Sequence, residues 1–269
     1  FRILLLLLMA ALPVNVWAAQ LLIPMDETQT DHLKAYGVIY QTLSDGGKGQ
    51  WLLNYRGGAF LIDYNEANAN RCLLMGVKAE QVTEGQVADI FRQIEVENME
   101  RRELEKAPSI AVYSPPSAQP WDDAVTLALT YAEIKYDIVW DEEVLAGKLE
   151  DYDWLHCHHE DFTGQYGKFY AAFRNELWYQ ADVKVNEEMA RRLGYAKVSD
   201  MKLDVAKTIQ DYVRRGGFLF SMCSAPETID IALAAEGVDI ATPEFDGDPV
   251  DPNAQSKLDY TKTMAFENF

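Results

Sequence analysis

Two short stretches gather the groups able to do chemistry. "WLHCHHEDFTG", residues 154–164, sets His156, His158 and His159, three of the chain's four histidines, around Cys157 and ahead of Glu160 and Asp161. "GGFLFSMCSAPE", residues 216–227, ends an apolar run on Cys223 among small residues. Imidazole beside carboxylate suits two chemistries: it holds zinc or another divalent metal, and it supplies a general base. As a strand, residues 154–158 turn His156 and His158 to one side and Leu155 and Cys157 to the other. His156 and His158 could then chelate one ion, with Asp161, or else His159 or Glu160, completing the site, a spacing that matches no standard motif such as H-E-x-x-H. Alternatively His158 or His159, with Glu160 beside them, serves as base for a thiol nucleophile. A third reading is a polar strand end whose imidazoles bond to loop backbone and carboxylates.

Cys223 has two readings as well. A sharp strand-to-helix turn holds a side chain out, and a helix N-terminus favours thiolate and oxyanion. Against this, an unreactive cysteine is a common core filler. Two lesser stretches carry polar or aromatic density. "FDGDPVDPNAQSKLD", residues 245–259, offers Asp246, Asp248, Asp251 and Asn253, either calcium ligands without the EF-hand pattern or Asx-capped turns. "FTGQYGKFYAAFRNELWYQ", residues 162–180, could stack on a sugar or peptide ligand, or pack as core or lid.

These groups need elements to position them. Residues 19–105 alternate short strands with helices and predict a small α/β unit. Its helices are expected over 27–43, with Leu33, Tyr36, Gly37, Tyr40 and Leu43 on one face, over 66–76, and as a long charged helix over 84–106. From residue 106 onward, "SIAVYSP", "YDIVWDEEV", "YDWLHCHH" and "GGFLFSMC" read as four apolar strands. Helices are expected after Pro120, near 183–193 and 201–215, and over 227–237. Apolar strands alternating with helices predict a mostly parallel sheet covered on both faces. In such a sheet ligands bind beyond the carboxyl ends of the strands, where both chemical clusters fall.

With 269 residues, of which 48% are hydrophobic, the chain can bury one large or two modest cores. Its net charge of −19 repels phosphate backbones and argues against nucleic-acid binding. Arg2, the run "ILLLLLMAAL" and Val16–Ala18 form an export signal over 1–18 with cleavage after Ala18, which implies a periplasmic or secreted protein. The run is short for a membrane span, so an integral membrane protein is not expected. Three cysteines, Cys72, Cys157 and Cys223, cannot all pair within the chain. The final "TKTMAFENF" reads as an interrupted strand, and a longer C-terminal part is expected.

The stretches "APSIAVYSPPSAQPWDDA", "YDWLHCHHEDFTGQYGKFY" and "GGFLFSMCSAPETIDIALAAEGVDI" resemble the class I glutamine amidotransferase-like superfamily. More narrowly, "LIPMDETQTDHLKAYG", "WLLNYRGG" and "FDGDPVDPNAQSKLD" resemble exported proteins commonly labelled asparagine synthetase B, a likeness running over nearly all of the chain after the signal. The resemblance implies a flavodoxin-like α/β domain over 106–269, with the cysteine after the "GG"-led strand, Cys223, as nucleophile. The chain departs from the superfamily in two ways. The turn reads Ser221-Met222-Cys223-Ser224-Ala225 without flanking glycine, and no histidine follows His159, so the base falls to His158 or His159. It also lacks the N-terminal cysteine and pyrophosphate loop of glutamine-using synthetases, and no ATP chemistry is expected. The leading expectation is therefore an exported amidotransferase-like protein with a cysteine-dependent amidase or hydrolase pocket. The alternatives are a non-catalytic binder of a small molecule, peptide or sugar, and a metal-dependent hydrolase. No cofactor is expected on the first two readings; a divalent metal such as zinc belongs to the third.

Overall fold

The computed structural model describes residues 19–118, 123–166 and 169–269. The expected export signal over 1–18 and Pro120 lie outside the described residues. The chain divides into two compact units, residues 1–107 and 108–269.

The first unit orders its elements as β1 (Gln20–Ile23), α1 (His32–Ser44), β2 (Gly49–Leu53), β3 (Ala59–Asp63), α2 (Glu66–Leu74), β4 (Glu80–Val82), α3 (Glu84–Val96) and β5 (Glu100–Leu104). Its sheet runs β4-β1-β3-β2-β5 and every pair is antiparallel. The unit mixes helix and strand as expected, but it is not a parallel arrangement. Strand alternation explains the continuous apolar runs: each face of the sheet has its own core. Leu21, Ile23, Phe60 and Ile62 pack with Val38, Ile39 and Leu43 of α1 and Cys72 of α2. Leu22, Leu52, Ala59 and Leu61 pack with Ile90 and Ile94 of α3.

Two boundaries differ from the sequence reading. The first helix begins at His32, because Asp31 caps it by accepting from the Lys34 N–H; Leu33 and Tyr36 then face outward, and Ala35, Val38 and Ile39 face in. The charged helix ends at Val96, and "ERREL" is a strand hydrogen-bonded to β2. A charged edge strand carries no apolar alternation; its pairing defines it, and its charges blunt the open edge.

The second unit runs β6 (Ile110–Tyr113), α4 (Ala124–Tyr131), β7 (Asp137–Val139), α5 (Asp141–Leu145), β8 (Trp154–Cys157), α6 (Phe169–Phe173), α7 (Leu177–Arg192), α8 (Val198–Arg214), β9 (Phe218–Ser221), α9 (Ala225–Ala234), α10 (Pro243–Asp246) and α11 (Ala254–Lys257). Its four described strands form one parallel sheet in the order β7-β6-β8-β9. Ala111, Tyr113, Leu155 and Cys157 point to one face, where Val205, Ile209 and Tyr212 of α8 and Ile229 and Leu233 of α9 cover them. The spacing of Met201, Val205, Ile209 and Tyr212 is one helical face, all of it buried. The glycine pair before β9 has a packing reason. A β-carbon on Gly217 would stand 2.2 Å from the Tyr212 ring, so the chain turns there only without a side chain. No helix among the described residues is long and apolar enough to cross a membrane.

Candidate functional site

The parallel register aligns β8 and β9 with Cys157 opposite Ser221, so the residues after them leave the sheet together. The two exits are stitched. The Met222 N–H donates to the Cys157 carbonyl at 2.9 Å, the Ala225 N–H to the His158 carbonyl at 3.1 Å, and the Ser224 hydroxyl to the His159 carbonyl at 3.0 Å. The Thr228 hydroxyl reaches the Glu160 carbonyl at 3.0 Å. The histidine loop and the cysteine turn are thus one construction at one sheet edge.

Cys223 occupies the apex of that turn. It is exposed, in no disulfide, and held at φ 55°, a left-handed conformation that costs a β-carbon-bearing residue energy. Two residues later α9 begins, with Pro226 in its first turn. The other two cysteines are inert fillers. Cys157 and Cys72 are buried, and burial pushes both thiols up, Cys72 to about 11.

The histidines divide by role. His156 is fully buried, its Nδ1 3.1 Å from the Phe220 carbonyl oxygen and its Nε2 2.8 Å from Asp123 Oδ2. Both nitrogens are within hydrogen-bond distance of oxygen atoms of the protein, so the ring is held on both sides. His156 and His158 do share a side of the strand, their rings 6.3 Å apart and nearly parallel. Between them stands Asp123, whose other oxygen lies 3.7 Å from His158 Nδ1. Asp161 Oδ1 is taken by the backbone N–H and hydroxyl of Thr163, at 2.7 and 2.5 Å. The expected His156–His158–Asp161 metal set is therefore not assembled: His156 is sealed, and Asp161 closes its own turn. Among the described residues, the acidic atoms that come together are those of Asp239, Asp246 and Asp248. The Lys197 ammonium fills that cluster at 3.0, 3.1 and 2.6 Å and offsets part of its charge.

His158 and His159 meet through their Nδ1 atoms at 3.0 Å, so one ring donates and the other accepts. Glu160 turns back and accepts the His158 N–H at 2.9 Å. Burial raises its carboxyl to about 7, against the lowering effect of those backbone donors and of Lys202. Asp123, His158, His159 and Glu160 thus lie together beside the Cys223 turn.

A cavity of about 400 Å³ opens next to this group. Its walls come from the loops after β6, β7 and β8 and from α7 and α8. Trp140, Tyr166, Phe169, Trp178 and Tyr179 supply aromatic surface, and His159, Glu160, Asp161, Asp182 and Lys202 supply charge. Gly164 lets the loop close on α8: it sits at φ +74°, and a β-carbon there would come within 2.6 Å of the Ser199 backbone. Beneath the cavity Lys202, 2% exposed, donates to both oxygens of Asp141 at 3.0 and 2.9 Å and to the Tyr113 hydroxyl at 3.0 Å, and its ammonium lies 3.8 Å over the Trp140 ring. Asp141 also accepts from Tyr113.

Asp123 and Lys202 escaped the sequence reading as site residues. Asp123 was legible as a helix-start residue, and it does cap α4 by accepting from the Val125 N–H at 2.8 Å. Nothing in the sequence marks Lys202, a lysine in an amphipathic helix. No family model, curated protein or solved structure matches this chain.

Proposed function

We propose that the second unit is an exported, amidotransferase-like cysteine hydrolase acting on an amide or ester, with Cys223 as nucleophile. One observation carries the reading: an exposed cysteine strained at φ 55° on a strand-to-helix turn, bound through its neighbours to the His158–His159–Glu160 loop. A packing cysteine gains nothing from that strain, whereas a nucleophile gains exposure and the donors of a helix start. The strand order β7-β6-β8-β9 supports a flavodoxin-like fold, because in order of appearance it reads 2-1-3-4. The cavity then lies at the switch point between the first and third strands.

On this reading the Cys223 sulfur attacks the carbonyl carbon. His159 or His158 takes the thiol proton and passes it to the leaving group; water then hydrolyses the thioester. Asp123 positions His158, and Glu160 holds the loop.

Iodoacetamide labelling of the native protein should modify Cys223 at least about tenfold faster than Cys72 or Cys157, whose thiols are buried. Cys223→Ser should abolish turnover of chromogenic amides and esters without lowering the melting temperature. Turnover that survives Cys223→Ser, or labelling of Cys223 only on unfolding, would overturn the proposal and leave a binding protein of the same fold.

A further inference from the structure

The cavity holds more unbalanced chemistry than a hydrolase needs for its nucleophile. Three carboxylates line it, from Glu160, Asp161 and Asp182. Among the described residues Lys202 is the one lysine or arginine on its wall, and Asp141 already neutralises it. Asp182 is partly covered; desolvation raises its carboxyl, while Lys202, the Ser117 hydroxyl and His159 pull it down. The walls around these acids are aromatic rather than polar. Trp140, Tyr166, Tyr179 and Asn186 are each no more than 8% exposed, and each has a polar atom with no hydrogen-bond partner among the described residues: Trp140 Nε1, the two hydroxyls and Asn186 Oδ1. Unpartnered buried polar atoms are rare in folded proteins, and four in the walls of one cavity mark a place built for an occupant. A ligand that hydrogen-bonds to them offsets a standing cost.

We propose that this cavity binds an organic cation, a primary or methylated ammonium on a short apolar stem, with its charge toward Asp182 and Glu160 and its stem against Trp140, Tyr166, Trp178 and Tyr179. The carboxylates explain why the ligand is positive: desolvated acids are costly unless paired, and the lysine at this wall among the described residues is bound to Asp141. The rings explain why it is organic. Their π-faces attract a weakly hydrated ammonium, and they shield its stem from water. The volume suits a small molecule. A neutral sugar would stack on the same rings but leave the acids uncompensated; an anion would be repelled.

The proposal stands apart from the nucleophile, since Cys223 does not line the cavity. Isothermal titration of the whole chain would use four probes: choline, its uncharged carbon isostere, benzylammonium and glucose. At least one of the two cations should bind saturably at one site, and the isostere should bind about tenfold more weakly than choline or not at all. Asp182→Asn should weaken cation binding by about tenfold or more. Trp178→Leu, at a residue 52% exposed and so tolerant of change, should weaken it while leaving the melting temperature in place. Cys223→Ser should bind the cation as the parent does. Two results would overturn the proposal: no saturable binding of either cation, or equal binding of choline and its isostere. Saturable glucose binding without cation binding would overturn it in favour of a carbohydrate site. Loss of hydrolysis in Cys223→Ser alongside intact cation binding separates the two functions; absence of any hydrolysis leaves the cation site standing by itself.

Discussion

Glu160 is the residue whose ionisation is most coupled to the fold. Its carboxyl is held near 7 by burial, against an ordinary value of 4.5. Between those values the folded chain keeps a proton that the unfolded chain releases. Its contribution to stability is therefore complete below about 4.5, falls as pH rises toward about 7, and is flat above. At about 1.4 kcal/mol per pKa unit, ionising this group in place costs on the order of 3 kcal/mol. Glu160→Gln keeps the shape and removes the charge. The variant should match the parent in melting temperature at the acidic end of that window and exceed it increasingly toward neutrality. Parallel melting curves across the window would show that Glu160 carries no such proton. The same residue illustrates what the sequence conceals. "HHED" announced a cluster of imidazoles and carboxylates, and strand alternation correctly set His156 and His158 on one side. It did not announce that the His156 ring would be sealed by a carboxylate 33 positions earlier. Ligand availability depends on such distant partners, which spacing along the chain does not reveal.

Between elements, the decisive link is the buried clasp that ties β6, α5 and α8 under the cavity: Tyr113, Asp141 and Lys202. Asp141 is 0% and Lys202 2% exposed, so removing either partner strands a charge. Lys202→Met should cost about 3–5 kcal/mol in urea unfolding, and adding Asp141→Leu should recover most of that loss. A single variant as stable as the parent would mean that the pair is not formed. Elements themselves were legible where burial imposed a pattern. "SIAVY" and "DWLHC" are apolar because the strands they contain are buried in the second sheet, whereas "GGFLF" opens an apolar strand whose Phe218 and Phe220 stay exposed. Legibility ended where identity is set by pairing across the chain. "ERREL" extends a helical charge pattern in sequence, and becomes a strand because β2 offers it an edge. The antiparallel order of the first sheet was hidden for a related reason: a central strand with a core on each face is as evenly apolar as a parallel one.

At the scale of the whole molecule, the chain keeps its chemistry within one unit. Every residue of the core formed by Tyr113, Leu155, Ile209 and Ile229 lies beyond position 108, and so do the bonds described above for the Cys223 turn, the histidine loop and the clasp. The unit also ties down its own start. The Ser109 N–H donates to Asp153 Oδ2 at 2.8 Å, and the Asp153 N–H donates to the Ser109 carbonyl at 2.9 Å. Its length falls within the usual range of a domain. Residues 108–269 produced alone should therefore unfold in one cooperative thermal transition, and Cys223 should still be alkylated ahead of Cys157. Near-ultraviolet circular dichroism offers a direct check, because Tyr113, Trp140 and Phe162 stack in this core at 4.5 and 5.1 Å and would give a fixed-packing signal. A segment that shows helical signal but no cooperative melt and equal labelling of both cysteines would mean that this core needs residues 1–107 to close. The nucleophile and cation-site proposals would then have to be tested only in the full chain.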